Sequence, residues 1–234
     1  VPNDQDTFDA LVKTAQRFAP KFKVISKQES WLHRLIGFFN KLYMTQYWTT
    51  VGSTVAYPVG NDRYPAAGWR TIPHEGRHAI QAKFSEFLFV LLYLCGHFLW
   101  FIVGAFLAAV VSLPLWLKVN WWAGLLPLSI ILLASPIPFA YFRYRWEFEA
   151  YTLSIAIQYW TTGAKPSDAN LDRIADQFVG WFYSWMWPFG RTSMMKKLRA
   201  SRDLVMSDVY LKDEYNAAVL QTLKDCGQYR APSK

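Results

Sequence analysis

The chain has 234 residues, 53% hydrophobic and 18% aromatic, with 25 Lys and Arg against 17 Asp and Glu for a formal net charge of +8. That length allows one sizeable domain or two small ones, and the aromatic content exceeds what an ordinary soluble core needs, which points to a membrane or a large assembly. Cys95 and Cys226 alone exclude a disulfide framework or a cysteine-based zinc knuckle, while the positive charge suits anionic headgroups, nucleic acid or an acidic protein surface.

Residues 1–9 are polar and acidic, with no basic segment leading into an apolar one, so no signal peptide is visible there. From 6 to 18 the apolar positions Phe8, Leu11, Val12, Ala15 and Phe18 predict an amphipathic helix with Asp6 as cap and Pro20 as stop. Residues 30–42 repeat the pattern with Trp31, Leu32, Leu35, Ile36, Phe38 and Phe39, an aromatic-faced helix that packs inward or lies on a membrane; His33 within it reads as structural. The β-branched and aromatic residues of 45–57, with Gly52-Ser53 as a turn, predict a short β-hairpin. A loop over 58–68, rich in Pro and Gly, follows.

The loop delivers His74-Glu75-Gly76-Arg77-His78. Residues four apart share a helical face, so both imidazoles reach one metal ion while Glu75 is placed to serve water as a general base. Pro73 suits the first turn of such a helix and Thr71 its N-cap, with Ala79, Ile80, Ala82 and Phe84 continuing it. Catalytic zinc takes three protein ligands and a water whose pKa falls to about 7, so a third ligand must come from elsewhere. The same spacing also arises by chance, where it leaves only a metal-free histidine pair.

From 87 to 117 there is no charged residue, and 121–142 is again uncharged, interrupted by Pro127, Pro136 and Pro138. These segments predict an apolar helical hairpin over about 87–142, held in a membrane or buried by other chains. His97 within it reads as a helix contact. A helix over 139–162 ends at Gly163, another starts at Ser167 or Asp168 and runs to about 185, and a last one spans 207–226. Trp181, Trp185 and Trp187 precede Arg191, Lys196, Lys197, Arg199 and Arg202, the pattern of an interfacial anchor or of an aromatic core helix followed by a solvated one. The expected fold is mainly α: one zincin-like domain over 1–234, with a His-Glu-x-x-His helix, a small β-hairpin and the apolar helical hairpin inserted.

A hairpin returns the chain to the side it left, which brings Glu147 back beside His74 and His78. His-Glu-x-x-His, an apolar hairpin and Glu147-Phe148-Glu149-Ala150 together resemble the membrane group of gluzincin metallopeptidases. The resemblance implies Zn2+ held by His74, His78 and Glu147, Glu75 as base, and Glu149 supporting the ligands. That group has Asp where this chain has Tyr151, one turn from Glu147 on the same face, so Tyr151 is a candidate to hydrogen-bond a ligand or an oxyanion. The run from Tyr47 to Pro58, with Arg145-Trp146-Glu147-Phe148-Glu149-Ala150-Tyr151, is more loosely similar to zinc-peptidase-like virion components of tailed bacteriophages.

Two functions follow as expectations. One is a zinc metallopeptidase-like protein that cleaves peptides, with the 54–57 strand as an edge for substrate. The other is a structural component of a bacteriophage virion, in its tail or portal vertex, whose zinc site is structural or vestigial. Membrane lipid or other subunits of an assembly are the expected partners, and membrane association or the virion the expected location. The aromatics cluster in apolar runs instead of alternating with Lys and Arg, which argues against a nucleic-acid groove.

Overall fold

A computed structural model describes residues 3–39, 41–60, 65–83, 136–180 and 190–231. These form eight α-helices and one three-stranded sheet, the mainly helical architecture expected. The apolar hairpin predicted at 87–142 lies outside the described residues apart from 136–142, as does His97. Among the described residues no helix is long and apolar enough to cross a membrane.

Helix α1 (Asp4–Phe18) begins two residues earlier than expected because the Asn3 side chain, not Asp6, accepts from the first turn at Gln5 N–H. It buries Phe8, Leu11 and Ala15 on one stripe. Strand β1 (Lys23–Ser26) follows, too short and too evenly half-buried to announce itself in the sequence. The single helix expected over 30–42 is two: α2 (Trp31–Phe39) and α3 (Lys41–Gln46). They fold against each other at Gly37, where a Cβ would stand 2.4 Å from Met44 Cγ.

The β-hairpin is present as β2 (Thr49–Val51) and β3 (Thr54–Tyr57), turning at Gly52 with φ +61°. β3 lies in the middle of the sheet, antiparallel to β2 and parallel to β1, with Val55 opposite Thr50 and Val24. The expectation that 54–57 is an edge open to substrate is therefore wrong; of the hairpin strands, β2 is the edge.

A 3₁₀ turn over Ala66–Thr71 runs directly into α4 (Ile72–Ala82). Pro73 sits in the first turn and Thr71 at the N-cap position, both as predicted, but the Thr71 backbone is already helical and its side chain makes no cap hydrogen bond. Helix α5 (Pro136–Thr162) is the spine of the core. Tyr144, Ala150, Leu153, Ile155, Ala156, Ile157 and Trp160 are buried on several of its sides, the signature of a helix surrounded by others. Pro136 and Pro138, read as breaks, occupy its first turn, where a missing N–H forfeits no intrahelical bond.

Helices α4, α6 (Asp168–Val179), α7 (Gly190–Val205) and α8 (Glu214–Asp225) complete the described fold, with α4, α7 and α8 packed on α5 and α7 also on α6. Ser167 caps α6 as expected, though the helix stops at Gly180 instead of near 185. The last predicted helix is split by Asp213, whose side chain caps α8 at Asn216 N–H after a short 3₁₀ turn. Three basic residues of α7 are engaged by acids of α6: Arg191 by Asp172 and Asp176, and Arg199 and Arg202 by Asp168. This stretch reads as a helix-to-helix charge zipper, with the tryptophans at 181–187 outside the described residues.

Candidate metal centre

The two residues between the motif's glutamate and second histidine anchor the site helix. A Cβ at Gly76 would stand 2.1 Å from the Tyr215 hydroxyl, which donates to the Pro73 carbonyl at 3.2 Å, so α8 crosses α4 where no side chain intervenes. Arg77 donates two hydrogen bonds to Asp213 at 3.1 and 2.8 Å and a third to Asn216. With Gly76 and Arg77 committed to α8, the helical repeat turns His74 and His78 towards α5.

There they meet Glu147. His74 Nε2 lies 3.7 Å and His78 Nε2 3.6 Å from the same oxygen, Glu147 Oε2, and the ligand atoms of all three residues fall within 4.8 Å of one another. Glu147 and His78 are buried, and His74 is partly so. In a tetrahedral zinc site with bonds near 2.0–2.1 Å, ligand atoms are about 3.3 Å apart. The observed separations are those of a slightly open cage.

The surrounding hydrogen bonds decide which nitrogen of each ring faces inward. Ser154 Oγ donates to the Ala150 carbonyl at 3.3 Å, so it accepts from His74 Nδ1–H at 3.1 Å. Gln81 spends its amide N–H groups on the Trp146 carbonyl at 3.3 Å and Glu149 at 3.0 Å, which leaves Oε1 to accept from His78 Nδ1–H at 3.0 Å. With Nδ1 carrying the proton of each neutral ring, both Nε2 atoms face the same carboxylate oxygen of Glu147. That juxtaposition is repulsive unless a cation, either protons or a metal ion, sits among the three atoms.

Protons serve when no metal does. Burial resists protonation of His78, yet the charge and hydrogen bond of Glu147, with the charge of Glu75 and the hydrogen bond to Gln81, together outweigh it and raise the pKa to about 8. Burial likewise resists ionisation of Glu147, but His78 and His74 hold its carboxyl well below the usual range. His74, His78 and Glu147 are the group among the described residues able to hold a metal ion, and no fourth His, Cys, Asp or Glu joins them there.

The other predicted residues fall around this cage. Glu75 is buried and accepts a hydrogen bond from Thr50 of β2, which ties the sheet to the site helix. Glu149 is exposed and reaches His78 through Gln81, which hydrogen-bonds both. Tyr151 packs its ring edge-on against His74, with centroids 4.8 Å apart, and against Phe178, so it is a wall of the site.

Sequence reasoning missed Ser154, Gln81, Thr50 and Lys27. Ser154 lies seven residues beyond Glu147 and Gln81 three beyond His78, spacings that a search along each helical face would have found. Lys27 is fully buried, donates to the Tyr43 carbonyl and sits 3.8 Å from the Tyr43 ring centroid. Burial lowers its pKa to about 8, with the charge of Glu75 acting the other way. His33 is buried beside it, stacked on Tyr43, and burial and Lys27 together lower its pKa.

No protein-family model, curated protein or solved structure matches the chain.

Proposed function

We propose that the chain is a zinc metallopeptidase-like hydrolase with His74, His78 and Glu147 as zinc ligands. The observation that carries this reading is the pair of imidazole Nε2 atoms facing one buried carboxylate oxygen, with both Nδ1 atoms hydrogen-bonded. Two nitrogens and one oxygen form the donor set of a catalytic zinc, and three protein ligands leave room for substrate and water. Zinc, when bound, supplies Lewis-acid polarisation of a carbonyl and acidification of water.

The chain's own residues do the rest. Glu75, oriented by Thr50, takes the proton as water oxygen bonds to the peptide carbonyl carbon, and returns it to the amine nitrogen as the C–N bond breaks. Tyr151 keeps the His74 ring in place. The edge strand β2 carries Thr50 and offers an extended peptide a backbone to pair with beside Glu75.

The decisive experiment is Glu75→Gln, assayed on a mixture of quenched fluorescent peptides alongside zinc analysis. We expect zinc to be retained and turnover to fall by about 10²–10⁴-fold, the usual worth of a general base. Unchanged turnover would remove Glu75 from the chemistry. Zinc bound with no hydrolysis by the unaltered chain would favour the structural role in an assembly.

A further inference from the structure

We propose that the exposed face of α2, continued onto the start of α3, docks on an anionic lipid surface. This inference stands apart from the metal site. Trp31, Leu35 and Phe38 are 69%, 49% and 80% exposed, and their spacing places them on one stripe of α2. Leu42 at the start of α3 is 59% exposed and Tyr47 just beyond it 44%. The opposite side of α2 packs on α3, where Gly37 meets Met44, and on the 27–29 turn, where His33 is buried beside Lys27. The stripe is therefore held outward.

Charge selects the occupant. Across residues 21–47 the exposed charged side chains are Lys21, Lys23, Arg34 and Lys41 against Glu29 alone, and Glu29 is engaged in capping the Ser26 backbone N–H. Arg34 lies one position from Leu35 on the flank of the stripe. Aromatic and leucine side chains on two helices whose exposed charged residues are Arg34 and Lys41 match the boundary between acyl chains and anionic headgroups. A second copy docking on the same face would bring Arg34 and Lys41 of both chains together, which like-charge repulsion opposes.

The test is hydrogen exchange of the full chain with vesicles of phosphatidylcholine alone or with phosphatidylglycerol, together with vesicle flotation. We expect amides of 31–42 to gain protection on phosphatidylglycerol vesicles and to lose it in high salt, while α5 amides stay unchanged. Trp31→Ser with Phe38→Ser should weaken flotation at least about tenfold, and Arg34→Glu should weaken it on anionic vesicles only. All of these positions are exposed, so folding is preserved. Equal protection on neutral vesicles, none on either kind, or protection that grows with protein concentration without vesicles would each overturn the proposal, the last by assigning the face to a second copy.

Discussion

The cage of His74, His78 and Glu147 and the neighbouring cluster of Lys27, His33 and Tyr43 are both buried and polar, yet they answer to pH in opposite ways. Without metal, His78 holds its proton to about 8 against an ordinary 6.5. Its contribution to stability is complete below pH 6.5 and is lost as pH rises through about 8. Lys27 gives up its proton near 8 against an ordinary 10.5. The unfolded chain keeps that proton longer, so this cluster adds stability as pH rises from about 8 to about 10.5. The difference lies in the partners: a carboxylate at 3.6 Å, with Glu75 and Gln81 adding to it, outweighs burial for His78, whereas Lys27 meets a carbonyl and a ring, with Glu75 compensating only in part.

The largest expected effect comes from removing the carboxylate. Glu147→Ala should destabilise the metal-free chain by about 3 kcal/mol at pH 6, the low end for breaking a buried pair because His78 can shed its proton. The loss should shrink above pH 8, as urea midpoints at the two pH values would show. An equal loss at both would mean that Glu147 acts by packing alone.

Next is Gly76→Ala, which forces Tyr215 off the site helix and should cost about 1–3 kcal/mol. Because the clash falls on the α8 side of α4, opposite the face that carries His74 and His78, thermal unfolding should shift while zinc stoichiometry holds and zinc affinity changes little. The smallest is Lys27→Met. The lost hydrogen bond, worth about 1 kcal/mol, is offset by removal of a desolvated charge, so stability at pH 7 should change little. The rise in stability between pH 8 and 10.5 should vanish, leaving the His78 decline exposed in chelator-treated protein.

What the sequence made legible was the helical repeat within single elements. His74 and His78 share a face because they are four apart, and α5 could be recognised from its apolar run and its Gly163 stop, where φ is +67°. Contacts between elements were hidden. Nothing local marks Thr50 as the partner of Glu75, Lys27 as buried, or Gly76 and Arg77 as the seat of α8, whose partners lie 136 residues or more along the chain. The 54–57 strand was misplaced for the same reason: its second neighbour, β1, carries too weak a pattern in four residues. Glu147 was reached by supposing that the chain turns back, and it does lie against the histidines.

Zinc content after equilibrium dialysis, compared between the unaltered chain and Glu147→Ala over a range of free zinc, tests most directly whether two distant segments share one ion. The account predicts about one chelator-removable zinc per chain, and an affinity at least about 100-fold weaker in the variant. Equal uptake by both, or none by the unaltered chain, would contradict it.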